Sequence, residues 1–193
     1  VRESNHFAKQ RGPDRCTVHR EADVHGLQLL FLHNLLDISG TAACQPIVDD
    51  HDQSRIVSLF NGEIYNFKEL GEFRCDTECI VPAYRRSGPE IGRIFDGEFS
   101  IVIYDSASNC LTILVDPFLT KPLYIGRGSD PAEIGVGTCG SSLRSLGFEH
   151  VAVMEPNTSV QLSLGRVDVT ETLRSESFSF SIEQSVETYS AWC

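Results

Sequence analysis

A pair of apolar, β-branched runs joined by four polar residues restricts the fold more than any other segment. "EFSIVIYD" occupies residues 98–105 and "CLTILVD" residues 110–116, with "SASN" between them. Runs of this length and composition around a polar turn predict two buried antiparallel strands joined as a hairpin. Further short strands are predicted at residues 27–32, 55–60, 122–126, 159–164 and 166–169.

Helical signals are weaker than the strand signals. Asp76 and the two residues after it can cap a helix that runs to about residue 84 and stops before Gly88. Pro82 lies inside that range, and an interior proline removes a backbone hydrogen bond, so we expect a kink or a late helix start. Shorter helices are predicted at residues 4–10, 89–95 and 141–146. Many strands with few helices predict an α+β domain of two antiparallel sheets packed face to face, with helices outside.

Composition and charge exclude several classes of function. The chain has 193 residues and a formal net charge of −11, which argues against a nucleic-acid or anionic-membrane partner because both need a basic surface. No apolar run approaches the ~20 residues of a membrane-spanning helix. The seven cysteines are odd in number and scattered, which favours reduced thiols. No spacing of Cys or His predicts a metal site, and we predict no cofactor.

Two glycine-containing segments are candidate sites. "GVGTCG" at residues 135–140 matches the dinucleotide G-x-G-x-x-G, but no βαβ unit surrounds it, so a glycine-rich strand end is favoured. Asn61-Gly62-Glu63 follows the apolar strand 55–60. Gly62 would let a backbone N–H approach a ligand, and Asn61 adds a side-chain donor, so the pair suits an oxyanion hole. Asn-Gly is also the strongest hairpin-turn signal, and the residues alone leave both interpretations open.

A series of motifs in the same order resembles the class II glutamine amidotransferase domain of asparagine synthetases and β-lactam synthetases. "FNGEIYNFKEL" is similar to that family's N-G-E-I-Y-N segment, and "RGPD" at residues 11–14 to its R-G-P-D turn. The resemblance continues through "LLDISGTAACQPI", "CDTECI", "FDGEFSIVIYD" and "DPFLTKPLYIG". It implies an N-terminal-nucleophile hydrolase fold, a four-layer αββα sandwich of two antiparallel sheets.

The resemblance also implies roles for individual residues. Asn61 and the Gly62 backbone would form the oxyanion hole, and Glu63 and Asp76 would hold the α-ammonium group of glutamine.

In the family an N-terminal cysteine attacks the glutamine amide with its own α-amino group as base. Here the ten residues before Arg11 contain no cysteine. The arginine that pairs with the substrate carboxylate corresponds to Leu32, next to His33, and leucine offers no donor. The ATP-binding S-G-G-x-D-S motif of the synthetase half does not occur.

Two hypotheses follow. In the first, residues 1–174 form an amidotransferase-like domain that has lost glutaminase activity and serves as a non-catalytic binding or accessory subunit of a larger assembly, with residues 175–193 as a C-terminal tail. In the second, the domain hydrolyses glutamine and supplies ammonia, and its cysteine and synthetase domain lie outside the 193 residues. A start at Val1 also fits removal of a transit peptide, so we expect a cytoplasmic or organelle-matrix protein whose partners are other subunits.

Overall fold

The computed structural model describes residues 5–24, 26–37, 44–51, 54–165 and 169–174. Its strands, in chain order, are β1 (Arg15–Val24), β2 (Leu27–Leu35), β3 (Ile47–His51), β4 (Ser54–Ile64), β5 (Gly97–Asp105), β6 (Cys110–Val115), β7 (Tyr124–Arg127), β8 (Ile134–Gly137), β9 (His150–Val153), β10 (Ser159–Leu164) and β11 (Val169–Arg174). Its α-helices are α1 (Asn5–Lys9), α2 (Phe67–Leu70), α3 (Ile80–Ser87) and α4 (Gly140–Ser145), and 3₁₀ helices cover Asp76–Cys79 and Gly88–Arg93.

Antiparallel pairing organises these strands into three sheets. Six strands form the central sheet in the order β11-β10-β6-β5-β4-β3. The sheet β8-β7-β9 and the two-stranded sheet β1-β2 complete the described set. The predicted hairpin is confirmed as β5 and β6, with Asp105 paired to Cys110 around the polar turn. It lies at the centre of the largest sheet because both of its faces are apolar, as a strand buried on both sides requires.

Two hydrophobic clusters, one on each face of the six-stranded sheet, set the layers. On one face, which we call the helix face, Ile56, Phe60, Phe99 and Ile101 pack against α3 and the 3₁₀ helix 88–93. On the other, the inter-sheet face, strand residues pack against the two smaller sheets, among them Val57, Val102, Ile113, Val115, Phe31 and Ile125. Helix α4 lies on the far side of the β7–β9 sheet and contacts α1.

The predicted αββα sandwich is therefore confirmed, with one difference. In the described part of the chain the second β layer consists of two short sheets rather than one continuous sheet. The predicted strand at residues 122–126 is observed as β7, and the strand at 159–164 has the predicted bounds. Residues 166–168 of the last predicted strand, and the tail 175–193, lie outside the described residues.

The helix that contains Pro82 starts late, which is one of the two predicted outcomes. The α-helix begins at Ile80, after a 3₁₀ turn over Asp76–Cys79, so Pro82 falls in its first turn. A backbone N–H in the first turn of a helix has no intrahelical acceptor. Proline lacks this N–H, so at this position it costs the helix no hydrogen bond. Helix α3, with eight residues, is the longest described helix, and none of the described helices is long enough to cross a membrane.

Candidate active site

The site is built on the last third of β4, which Gln45 holds in place. Gln45 is only 6% exposed. Its Nε2 donates to the Phe60 carbonyl at 3.0 Å, and its Oε1 accepts the Phe60 N–H at 2.6 Å. Strand β3 pairs with β4 only as far as Ser58. Beyond that point the Gln45 side chain takes the place of the partner strand and pairs with the backbone of β4. This clasp fixes the backbone one residue before Asn61.

Asn61-Gly62-Glu63 continues the strand, so the hairpin-turn interpretation is wrong. Asn61 pairs with Ser100 of β5, Gly62 with Phe99 and Glu63 with Glu98. Gly62 has φ +145°, and a Cβ there would lie 2.0 Å from the Glu98 carbonyl oxygen. Glycine is therefore required here by close approach of two strands and by its backbone angle, rather than by a two-residue turn.

Alternation along the strands places the polar side chains on the inter-sheet face. Val57 belongs to the inter-sheet cluster, and side chains two residues apart share a face, so Asn61 and Glu63 follow on the same side. The paired residues Ser100 and Glu98 lie opposite them. Directly opposed residues have Cβ atoms about 5 Å apart, so Asn61 and Ser100 are neighbours.

Asp76 is brought to the end of the same strand. Its Oδ2 accepts the Ile64 N–H at 3.1 Å, and its Oδ1 accepts the Thr77 N–H at 2.8 Å. The carboxylate thereby joins the 3₁₀ helix 76–79 to β4, next to Glu63. The structure brings all four predicted site residues to one end of the sheet. Their roles toward a ligand remain predictions.

A second buried carboxylate shapes the loop after β6. Asp116 is fully buried and accepts the N–H groups of Phe99 at 3.2 Å, Phe118 at 2.8 Å and Thr120 at 3.0 Å, together with the Thr120 hydroxyl at 2.6 Å. A carboxylate with this many donors fixes the loop conformation. The loop presents Lys121, whose Nζ lies 3.0 Å from Glu98 Oε1, on the face that carries Glu63.

On the facing sheet, the residue on the inward face of β2 is His33 and not Leu32. Phe31 is in the inter-sheet cluster, so His33, two residues on, shares its face. Asn34 faces the other way, where its Nδ2 donates to Asn5 Oδ1 of α1 at 2.6 Å, and Leu32 shares that outer side. The position that the sequence comparison assigned to the carboxylate ligand therefore lies on the outer face of β2.

Two polar atoms in this region have no hydrogen-bond partner among the described residues. They are Nδ1 of His33 and Oγ of Ser100, and both are buried. Burial lowers the pKa of His33, which keeps its imidazole neutral at pH 7. Sequence reasoning did not identify Ser100, and it named His33 only as the neighbour of Leu32. Ser100 is the one polar side chain in "FSIVI", residues 99–103, and that interruption of an apolar run was the available signal.

Cys16, Cys79 and Cys110 lie away from this face. Cys16 lies on the outer face of β1, where its Sγ accepts a hydrogen bond from Asn5 Nδ2 at 3.3 Å. Cys110 lies on the helix face of β6. Cys79 is buried among the helices, and burial raises its pKa to about 12. The Ser141 hydroxyl, 3.0 Å away, lowers the pKa of Cys139, which precedes α4. Cys193 is outside the described residues.

The segment 135–140 is a strand end, as predicted. Gly135 and Gly137 belong to β8, and α4 follows with only six residues. A Cβ on Gly135 would meet the Phe148 ring at 2.5 Å and Leu143 Cδ2 at 2.9 Å, so the small residue serves packing against α4. In the described part of the chain, no three His, Cys, Asp or Glu side chains converge in a way that could hold a metal ion.

The fold and the polar end of β4 define a glutamine amidotransferase domain, and residues 1–164 match the glutamine amidotransferase domain family. The chain belongs to that family. Within it, the chain is similar to asparagine synthetases that hydrolyse glutamine. It is 34% identical to asparagine synthetase 2 of Lotus japonicus, with 67% of this chain and 22% of the relative covered. It is 36% identical to the enzyme of Sandersonia aurantiaca (67% and 25% covered) and 30% identical to a probable asparagine synthetase of Acanthamoeba polyphaga mimivirus (80% and 29% covered).

Solved structures support the fold. A glutamine phosphoribosylpyrophosphate amidotransferase from B. subtilis superposes with a TM-score of 0.70 at 16% identity, covering 93% of this chain and 46% of that one. The allosteric regulatory enzyme of purine biosynthesis superposes with a TM-score of 0.57 at 19% identity, covering 72% and 32%. The chain thus spans about a quarter of the length of the asparagine synthetases it matches and less than half of these structures.

Proposed function

We propose that this asparagine-synthetase-like amidotransferase domain does not hydrolyse glutamine and acts as a non-catalytic binding domain, or accessory subunit, of a larger assembly. The observation that carries the proposal is the composition of the inter-sheet face. The positions predicted for the oxyanion hole, Asn61 and Gly62, lie at the end of β4, whereas the position predicted for the carboxylate-binding arginine is Leu32, which has no donor and lies on the outer face of β2.

The positions of three described thiols, Cys16, Cys79 and Cys110, support the same proposal. An attacking thiolate must come within about 3–3.5 Å of the amide carbon while Asn61 and the Gly62 N–H hold the oxygen. Cys16 and Cys110 occupy the opposite faces of their strands, and the thiol of Cys79 resists ionisation up to a pH of about 12. A donor pair without a nucleophile binds a carboxamide but leaves it intact.

A glutaminase assay on the intact protein with its native N-terminus tests the proposal. We expect no release of ammonia or glutamate from glutamine above the rate of a heat-inactivated sample. Ammonia release that is lost in Asn61→Ala would overturn the proposal, because only an operating oxyanion hole makes the rate depend on that side chain. Ser58→Ala is the matched control, since it changes β4 on the helix face.

The second candidate is an active, ammonia-supplying amidotransferase, and the position of Asn61, Gly62, Glu63 and Asp76 at one end of the sheet favours it. Labelling with an electrophilic glutamine analogue decides between the two, because covalent attachment requires a nucleophile beside Asn61. Mass spectrometry of the intact protein would show the added mass in the active case and an unchanged mass under our proposal.

Native mass tests the accessory-subunit part of the proposal. An accessory subunit is isolated together with other chains, so we expect the native mass of the protein purified from its source to exceed the mass of its single polypeptide chain measured under denaturing conditions. A stable monomer of that mass with unchanged glutamine binding would leave a free-standing binding domain and exclude the accessory role.

A further inference from the structure

The helix face of the central sheet changes from apolar to polar toward the start of β4. Phe60, Ile101 and Leu114, which pair across three strands, form an apolar row in the helix-face cluster. Side chains four residues away on the same strands share this face. Together with a residue of β10 they form a second, mostly polar row: Ile56, Asp105, Cys110 and Ser163. This polar row crosses β4 about 17 Å from Asn61, at ~3.4 Å per residue.

A cleft of about 540 Å³ lies over the polar row. Helix α3 and the 3₁₀ helix 88–93 pack on the apolar row, and beside the polar row they contribute Tyr84, Arg85 and Pro89 to the lining of the cleft. Ser163, on the opposite side, is exposed to solvent. Small-molecule sites have volumes of roughly 300–1,000 Å³, so the cleft is large enough for a small ligand. It lies on the face of the sheet opposite to the candidate active site.

The charged groups of the cleft already have partners of their own. The Asp105 carboxylate accepts the hydroxyl of Ser54 at 2.8 Å on Oδ1 and the hydroxyl of Ser108 at 3.0 Å on Oδ2. Arg85 donates from Nε and Nη2 to Asp49 Oδ2 at 2.8 Å and 2.6 Å. A charged ligand in a partly buried place needs an available counter-ion, and here both charges are used. The cleft therefore favours an uncharged ligand.

Neutral polar groups remain available to such a ligand. The Gln161 side chain is half-buried in the cleft, and its amide has no hydrogen-bond partner in the described part of the chain. The Ser163 hydroxyl is exposed beside it, and burial raises the pKa of Cys110, whose thiol is neutral at pH 7. Asp105 Oδ2 accepts only one hydrogen bond, from Ser108, and a carboxylate oxygen can accept two.

These groups match the hydrogen-bonding chemistry of hydroxyl groups. A carboxamide donates and accepts side by side, so the Gln161 amide can pair with two neighbouring hydroxyl groups at once. A carboxylate oxygen such as Asp105 Oδ2 accepts from a third. Pro89 and Ile56 add apolar surface, on which the C–H groups of a saturated ring can pack.

We propose that this cleft binds a neutral polyhydroxylated molecule of the size of a monosaccharide. Gln161 and Asp105 hold its hydroxyl groups, and its ring lies against Pro89. The inference goes beyond the proposed function and does not depend on it, because the cleft and the Asn61 site lie on different faces and at different ends of the central sheet.

Titration of the intact protein with D-glucose, D-galactose and D-mannose, followed by ¹H–¹⁵N NMR, tests the site. We expect at least one of these hexoses to produce saturable shifts of the amide signals of residues that line the cleft. For that hexose, the derivatives that carry an ammonium group at C2 or a carboxylate at C6 should bind at least about tenfold more weakly, because neither charge finds an available counter-ion.

Three variants separate binding in the cleft from contacts elsewhere. Gln161→Ala should weaken hexose binding by about tenfold, the ratio for one or two lost hydrogen bonds, and its amide spectrum outside the cleft should match that of the unmodified protein. Ser163→Trp places a large side chain in the cleft from an exposed position and should abolish the saturable shifts. Gln28→Ala, which changes an exposed glutamine on the outer face of β2, is the matched control and should leave the affinity unchanged.

Any of four results would overturn the inference: no saturable binding of the three hexoses, equal affinity for the charged derivatives, unchanged affinity in Gln161→Ala, or shifts that persist in Ser163→Trp. Ammonia release in the glutaminase assay would refute the non-catalytic function and leave the hexose site standing, so the two proposals fail separately.

Discussion

The two faces of β4 differ although they belong to one strand. On the helix face Ile56, Phe60 and Ile64 are buried and apolar to the end of the strand. On the inter-sheet face Val57 and Leu59 are followed by Asn61 and Glu63. The helix face keeps large apolar side chains as far as Ile64, whereas the inter-sheet face changes from apolar to polar at Asn61. The comparison shows that a strand can carry polar site residues at its end when the opposite face of the same strand is held in a hydrophobic core.

The largest effect is expected from a truncation on the helix face. Phe99 is fully buried, and its ring packs edge-to-face on Phe95 at 5.9 Å between centroids. Phe99→Ala should lower the free energy of unfolding by about 3–5 kcal/mol, because it removes a large apolar side chain and leaves a cavity. Urea denaturation measures the change. A loss below ~1 kcal/mol would show that the helix face is not the main source of stability.

Loss of the Gln45 clasp should have the next largest effect. Gln45→Ala removes two hydrogen bonds and leaves the buried Phe60 N–H and carbonyl groups unpaired. We expect a loss of about 2–3 kcal/mol in the free energy of unfolding, together with weaker glutamine binding, because β4 is no longer fixed beside Asn61. Gln161→Ala, which changes a glutamine of β10 on the same sheet, serves as the control and should stay within ~0.5 kcal/mol.

The buried thiol of Cys79, on the helix face, should make the free energy of unfolding fall at alkaline pH. Burial raises the pKa of Cys79 from 9.0 to about 12. Its contribution to stability is therefore complete below the unfolded pKa and is lost as the pH rises from about 9 toward 12. Stability should fall by about 1 kcal/mol more in the unmodified protein than in Cys79→Val between pH 8 and pH 10. Equal losses in the two proteins, measured by denaturation at both pH values, would contradict this expectation.

The smallest effect on stability is expected at Ser100. Its hydroxyl is buried without a described partner, so Ser100→Ala removes a desolvation penalty and loses no hydrogen bond. The free energy of unfolding should stay within ~0.5 kcal/mol or rise. A decrease of more than ~1 kcal/mol in thermal or urea unfolding would mean that the hydroxyl has a structural partner.

The sequence pattern predicted those helices and strands whose structure depends mainly on neighbouring residues in the chain. The hairpin 98–116 was identified because apolar, β-branched runs are buried whichever neighbours they meet, and the late start of α3 followed from Pro82. The Asn61-Gly62 pair was ambiguous because the same dipeptide suits a turn or a close strand approach. What resolved it is the Glu98 carbonyl, 36 residues further along the chain.

The remaining part of the site depends on contacts between sheets, which no local pattern encodes. Sequence comparison pointed to Leu32 as the position facing the ligand, but Phe31 packs in the inter-sheet cluster, and this sets the orientation of His33. Ser100 became a candidate only when the register placed it opposite Asn61. A change of one residue in either register would reverse which side chains point inward.

The sheet that carries His33 has only two strands in the described part of the chain. A two-stranded sheet has little stability of its own and relies on its docking to a larger unit. Amide hydrogens of β1 and β2 should therefore exchange with solvent through local opening, well before those of β5 and β6, which open only on global unfolding. A ligand held between this hairpin and the central sheet would slow this exchange, so the protection of the β1 and β2 amide hydrogens would report its binding.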